Sequence, residues 1–159
     1  MDNASALLPL LGVVVGGGIT FSIQFYMSNR QRKWDEEKMR RDNHNKIETQ
    51  KFAVFSKILH LDAKYNILDW DIHYGFQFQT SKYLEQIRPL LYEIYHLLDE
   101  SIIGEIESIE GIHGRQRAFE EAEEGDNELL VKYYQEILKI IKKQCEDWRE
   151  TVKNNKKAI

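Results

Sequence analysis

The spacing Glu-x-x-His occurs twice in this chain, as Glu93 with His96 and as Glu110 with His113. On a helix that spacing sets a carboxylate and an imidazole on one face, as di-iron bundles require. A di-iron centre also needs the two pairs on different helices and two further inward glutamates, and here Gly111 and Gly114 interrupt the second pair. Glu93 and His96 flank the apolar series Leu91, Ile94 and Leu98 rather than joining it. Solvated side chains account for both pairs, and no metal or other cofactor is expected. Asp69 and His73, four residues apart, read as a helix-surface contact worth about 0.2–0.5 kcal/mol.

Other catalytic patterns are missing from the sequence. It has no nucleophile elbow, dinucleotide fingerprint, phosphate-cradling glycine loop, His-Glu-x-x-His or Cys-x-x-Cys. Cys145 is the single cysteine; four residues beyond Ile141, it reads as a buried reduced thiol. An enzyme is therefore not expected, and the candidate functional residues are those that make surfaces. Aromatics concentrate at Trp70, Tyr74, Phe76, Phe78 and Tyr83. Exposed, they would form a partner surface; buried, they would cap a core. The acidic run Glu120, Glu121, Glu123 and Glu124 is a second docking candidate, set against its plain reading as a solvated face.

The elements that must position these residues are helices. Ile47, Val54, Ile58, Leu61, Tyr65, Leu68 and Ile72 form one stripe at alternating steps of four and three after the first interval, expected to end near Tyr74-Gly75. Leu84, Ile87, Leu91, Ile94, Leu98 and Ile102 form a second, opened by Thr80 or Ser81 and kinked at Pro89. Leu130, Tyr134, Ile137, Ile141, Trp148 and Val152 form a third, with Asp126 as N-cap. Gly104, Gly111 and Gly114 are expected to break the chain between the last two, with a short polar helix at RAFEEAEE. FQFQT is the lone strand candidate and is too short to stand by itself. The expected fold is all-α, with a small antiparallel bundle of about three helices over 47–153 and a frayed tail over 154–159.

Ahead of the bundle, Ala4 to Met27 holds no ionisable side chain but the phenol of Tyr26, and its roughly 24 residues would span about 36 Å as a helix. A cleaved signal peptide would carry a basic start and a shorter apolar run, whereas this chain starts with Asp2. Residues 1–28 are thus expected to be a short external tail and an uncleaved transmembrane helix, and 29–46 a basic juxtamembrane stalk. Arg30, Arg32, Lys33, Arg40 and Arg41 would meet lipid headgroups on the cytoplasmic side, with the N-terminus outside and the bundle cytoplasmic. Gly12, Gly16 and Thr20 recur every fourth residue as a ridge of small side chains, suited to self-association or to packing on another membrane protein.

Charge is segregated along the 159 residues, although the net is only −4. Lys and Arg outnumber Asp and Glu nine to five over 28–57, acids lead eleven to two over 99–128, and bases lead eight to four over 132–157. The acidic total, and a basic cluster already committed to the membrane, argue against nucleic acid as a partner. The plan resembles that of small bacterial single-pass proteins, with no motif specific enough to name a family. It implies a membrane-anchored interaction or scaffold subunit that recruits or senses a cytoplasmic or membrane partner. The alternative is a small membrane-active effector, of phage-defence or lysis type, that oligomerises through the glycine ridge.

Overall fold

The computed structural model describes the backbone of residues 3–157 and the side chains of residues 24–154. The protein is mostly helical and divides into two units between Ile47 and Glu48. Helix α1 is assigned over Asn3–Tyr65. In the first unit its described side chains from Gln24 to Lys46 are exposed, including Arg30, Arg32, Lys33, Arg40 and Arg41. Among the described residues no helix is long and apolar enough to cross a membrane. Gly12, Gly16 and Thr20 lie outside the residues whose side chains are described.

In the second unit, α1 is followed by strands β1 (Leu68–Asp71) and β2 (Gly75–Phe78) and by a short helix α2 (Thr80–Lys82). A π-helical turn over Tyr83–Ile87 leads into α3 (Arg88–Glu93). A 3-10 turn over Tyr95–Leu97 precedes the long helices α4 (Glu100–Phe119) and α5 (Asp126–Lys157). The end of α1 lies antiparallel to α5, with Phe52 stacked on Trp148 at 4.8 Å and Tyr134 hydrogen-bonded to Asp62. Helix α4 is also antiparallel to α5: Gln144 bonds Asp99 just ahead of α4, and Arg115 in its last turns bonds Asp126. Phe55, Ile58, Ile87, Leu91, Ile94, Ile102, Ile106, Ile109, Tyr134, Ile137 and Ile141 fill the shared core, each fully shielded from solvent.

Several expectations are corrected. The first stripe ends at Tyr65, because Asn66 takes a left-handed backbone (φ 49°) and its N–H closes on the Asp62 carbonyl at 2.9 Å; asparagine tolerates this αL stop. Leu68 therefore lies in β1 and Ile72 in the hairpin turn, with FQF of FQFQT in β2. The second stripe is split, since Leu98 is extended and Ile102 belongs to α4; Thr80 is the first helical residue, behind Gln79, and neither it nor Ser81 is the cap. Gly104, Gly111 and Gly114 sit inside α4, while Glu120 to Glu123 are not helical. Asp126 is the first residue of α5, and its carboxylate turns back to the Glu123 N–H at 3.1 Å.

Asp62 shows how the core treats an acid. Tyr134 Oη donates to Asp62 Oδ1 at 2.9 Å, yet burial raises the carboxyl above its usual range, opposed by that hydrogen bond and by the Lys142 charge. A folded-state pKa above the unfolded value means that ionisation costs stability as pH rises through the raised value. Asp62→Asn keeps an acceptor for Tyr134 and removes the charge. It is expected to be more stable than the wild type at neutral pH, with the difference closing below the carboxylate range; denaturant midpoints at the two pH values check this.

Candidate docking surface

The β-hairpin is positioned by its base and free at its tip. Leu68, Trp70, Phe76 and Phe78 share one face by the period-two alternation of a strand, and the register pairs Leu68 with Phe78 and Trp70 with Phe76. At the base, Phe78 is buried and packs against Tyr83 and Tyr134 at 5.3 and 5.7 Å between ring centres. Beyond it the same face leaves the core. Trp70 is 65% exposed, Ile72 85%, Tyr74 79% and Phe76 44%, with Trp70 and Phe76 edge to face at 4.9 Å.

The turn is built from local chemistry. Asp71 Oδ1 accepts the N–H groups of His73 at 2.7 Å and Tyr74 at 3.0 Å, an Asx-type turn. Gly75 completes it with φ +71°, a conformation that glycine adopts without steric cost. From across the fold, the Asn127 amide clips onto β2: Oδ1 accepts the Phe78 N–H and Nδ2 donates to the Phe76 carbonyl, both at 2.9 Å. A side chain thus takes the place of a third strand on that edge. Asn127→Leu should leave the Phe78 N–H without a partner, at a cost of about 1–3 kcal/mol. The expected result is faster amide exchange at Phe78 and Gln77 than at Ile137; equal protection of the hairpin in both proteins would remove the clip.

The structure divides the sequence-derived partner residues. Trp70, Tyr74 and Phe76 come together on the exposed hairpin, whereas Phe78 and Tyr83 belong to the core, so Phe78 is withdrawn from the surface. Ile72, not singled out from the sequence, joins it. Glu120, Glu121, Glu123 and Glu124 are exposed in the loop after α4. Glu123 also faces Arg115 at 3.3 Å. That loop is anchored by buried Asp126, which accepts from Arg115 Nη2, from Gln116 Nε2 at 2.8 Å and from the Glu123 N–H. These contacts hold the Asp126 carboxyl below its ordinary range, the Gln116 bond contributing most.

The Glu-x-x-His pairs do not meet. Glu110 binds Arg88 through two hydrogen bonds, at 2.6 and 3.0 Å, while Glu93 ends α3 and His96 lies in the following 3-10 turn. Asp69 and His73 are likewise in strand and turn, not on a helix. His113 is buried, and desolvation lowers its pKa. Its Nε2 and the Tyr83 hydroxyl are shielded without hydrogen-bond partners. His113 lines a cleft of about 320 Å³ with Thr80, Arg88 and Arg117, but Glu110 already neutralises Arg88. Among the described residues no three His, Cys, Asp or Glu side chains could hold a metal ion. Cys145 is buried, and that burial raises its thiol pKa, away from nucleophile chemistry. No family model, curated protein or solved structure matches this chain.

Proposed function

We propose that the chain is a membrane-anchored interaction subunit whose helical unit docks a partner protein through the tip of its β-hairpin. The observation that carries this reading is the outward set Trp70, Ile72, Tyr74 and Phe76, held on a hairpin whose base is fixed in the core. Large apolar side chains grouped on a surface are costly in water and repay that cost when a partner covers them. Anchoring is supported by the uncharged run Ala4 to Met27 and by the basic residues Arg30, Arg32, Lys33, Arg40 and Arg41 after it. In this reading the N-terminus is outside, the hairpin faces the cytoplasm, and Gly12, Gly16 and Thr20 join copies or a second membrane protein within the bilayer.

The test replaces Tyr74 with a photoreactive amino acid in the full-length protein and irradiates native membranes, with exposed Lys132 as the control position. A discrete crosslinked species is expected from Tyr74 and not from Lys132, and the added substitution Ile72→Ser should remove it. Equal labelling at both positions, or none at Tyr74 with the protein intact, would reject the docking tip. A reporter active only outside the cytoplasm, fused after Ile159, is expected to stay silent; activity would reverse the assigned orientation.

A further inference from the structure

The two edges of the hairpin are not equivalent. On the β2 edge, Asn127 takes the Phe78 N–H and the Phe76 carbonyl, so those two residues turn their backbone groups away from β1. In an antiparallel pair, residues that turn outward on one strand stand opposite residues that do so on the other. The partners are Leu68 and Trp70. The Gln79 N–H, one residue further on, points inward to the Ile67 carbonyl at 2.8 Å, as this alternation requires. Leu68 and Trp70 therefore present N–H and C=O groups along the open edge of β1, and among the described residues none of these groups is taken by another backbone or side-chain group.

Next to that edge is a groove of about 500 Å³ that runs from Leu68 along α5, floored by Leu138 and walled by Lys139, Lys142 and Lys143. An added strand would lie about 4.8 Å beyond β1, on the side where Leu68 gives way to these residues. Glu146 is the acidic residue of the lining, and Glu136 holds Lys139 at 3.0 Å. The lining itself carries three ammonium groups and one carboxylate. Glu136 is already on Lys139 and Asp62 is within reach of the Lys142 charge, so Lys143 and the outer faces of the other two are what a further carboxylate would meet.

The geometry points to β1 as the receiving edge for an extended acidic peptide of a partner protein. The peptide joins the sheet as a third strand, its backbone on Leu68 and Trp70 and its carboxylates on Lys139, Lys142 and Lys143. Main-chain hydrogen bonds supply attachment in this mode, and side chains supply selection. This rests on the hairpin being a docking element, and it names the chemistry of what docks there.

The probe is a blocked, fluorescent peptide of alternating valine and glutamate, titrated into the full-length chain in non-ionic detergent and followed by anisotropy. Saturable binding is expected, with slower exchange at the Leu68 and Trp70 amides. Lysine in place of glutamate in the probe should abolish binding. N-methylation of alternate residues should abolish it in one phase and leave it intact in the other, because one edge of the added strand faces β1. Lys139→Glu with Lys142→Glu and Lys143→Glu should weaken binding at least about tenfold.

No binding of the glutamate probe would overturn the proposal, as would equal binding by both N-methylated forms, which would reduce the effect to charge alone. Protection of Leu68 and Trp70 that rises with protein concentration in the absence of peptide would assign the edge to a second copy instead. Ile72→Ser with Tyr74→Ser leaves the β1 edge intact and is expected to bind the probe as the wild type does, which separates failure at the tip from failure at the edge.

Discussion

Ile137→Asp is expected to leave the protein without a cooperative melting transition. Ile137 is fully buried near the middle of α5, where that helix meets both α1 and α4. A carboxylate placed there finds no cation and no hydrogen-bond donor intended for it, and the unpaired charge costs several kcal/mol. Domain stability is about 5–15 kcal/mol in total, so one such group consumes much of it. Leu129→Asp on the same helix is the control, because Leu129 is 40% exposed; its expected change is about 0.5 kcal/mol or less. Ile94→Asp extends the test to the residue just past α3, which is also fully buried. Circular dichroism melts of the three variants decide the matter: retention of the wild-type transition by Ile137→Asp would mean that the α5 stripe does not build the core.

That stripe was the most legible feature of the sequence, and the reason is physical. Leu130, Tyr134, Ile137, Ile141, Trp148 and Val152 keep helical spacing with neither Gly nor Pro among them, and the first four are buried with Trp148 and Val152 half-buried, so local periodicity and tertiary burial coincide. The other two stripes misled where spacing continued by accident. Leu68 and Ile72 keep the helical interval from Tyr65, but Asn66 ends α1 at a left-handed residue and reassigns them. The clues were present as alternation, Leu68-x-Trp70 and Phe76-x-Phe78, and as the Asp71 and Gly75 turn. They were weak because only the base of the hairpin is buried, and a half-exposed strand of four residues lacks a consistent polar face.

Around Pro89 the expected kink takes a definite form. Proline in a regular helix clashes with the carbonyl four residues back, here that of Glu85. The widened π-helical turn over Tyr83–Ile87 contains that residue, and Pro89 then falls in the first turn of α3, where its missing N–H is least costly. The break at Leu98 carried no such marker. Asp99 is extended ahead of α4 and its carbonyl receives the Ile102 N–H at 3.0 Å, so one unbroken apolar series serves two helices.

The candidate site was legible in composition and not in arrangement. The aromatic cluster marked the right segment, yet which members face water depends on where the hairpin leaves the core. The Asn127 clip could not be read at all, since it joins groups 49 and 51 residues apart and an asparagine in a first helical turn has many local uses. The lysine groove had the same difficulty: Lys139, Lys142 and Lys143 enter the sequence only as part of the basic excess over 132–157, and only the placement of Leu68 beside them gives them a sheet edge to share.

The glycines of α4 turn a misreading into the second large expected effect. Gly104, Gly111 and Gly114 are helical and exposed, and a Cβ built on any of them meets no atom within 4 Å. None has a positive φ, in contrast to Gly75 and Gly125. Each therefore gives up backbone entropy on folding without providing close packing in return. Alanine there restricts the unfolded chain and should stabilise the helix by about 0.5–1 kcal/mol per site. The three sites lie on one exposed side of α4 with no shared partner, so their effects should add, to about 2 kcal/mol or roughly 10 °C in melting temperature. Gly75→Ala is the opposing control: at φ +71° a side chain is strained, and the hairpin turn should weaken. Melts of the triple variant and of Gly75→Ala should move in opposite directions. A triple variant that melts lower than the wild type would mean that α4 needs its glycines for a close approach on that face, and would identify the face as an interface.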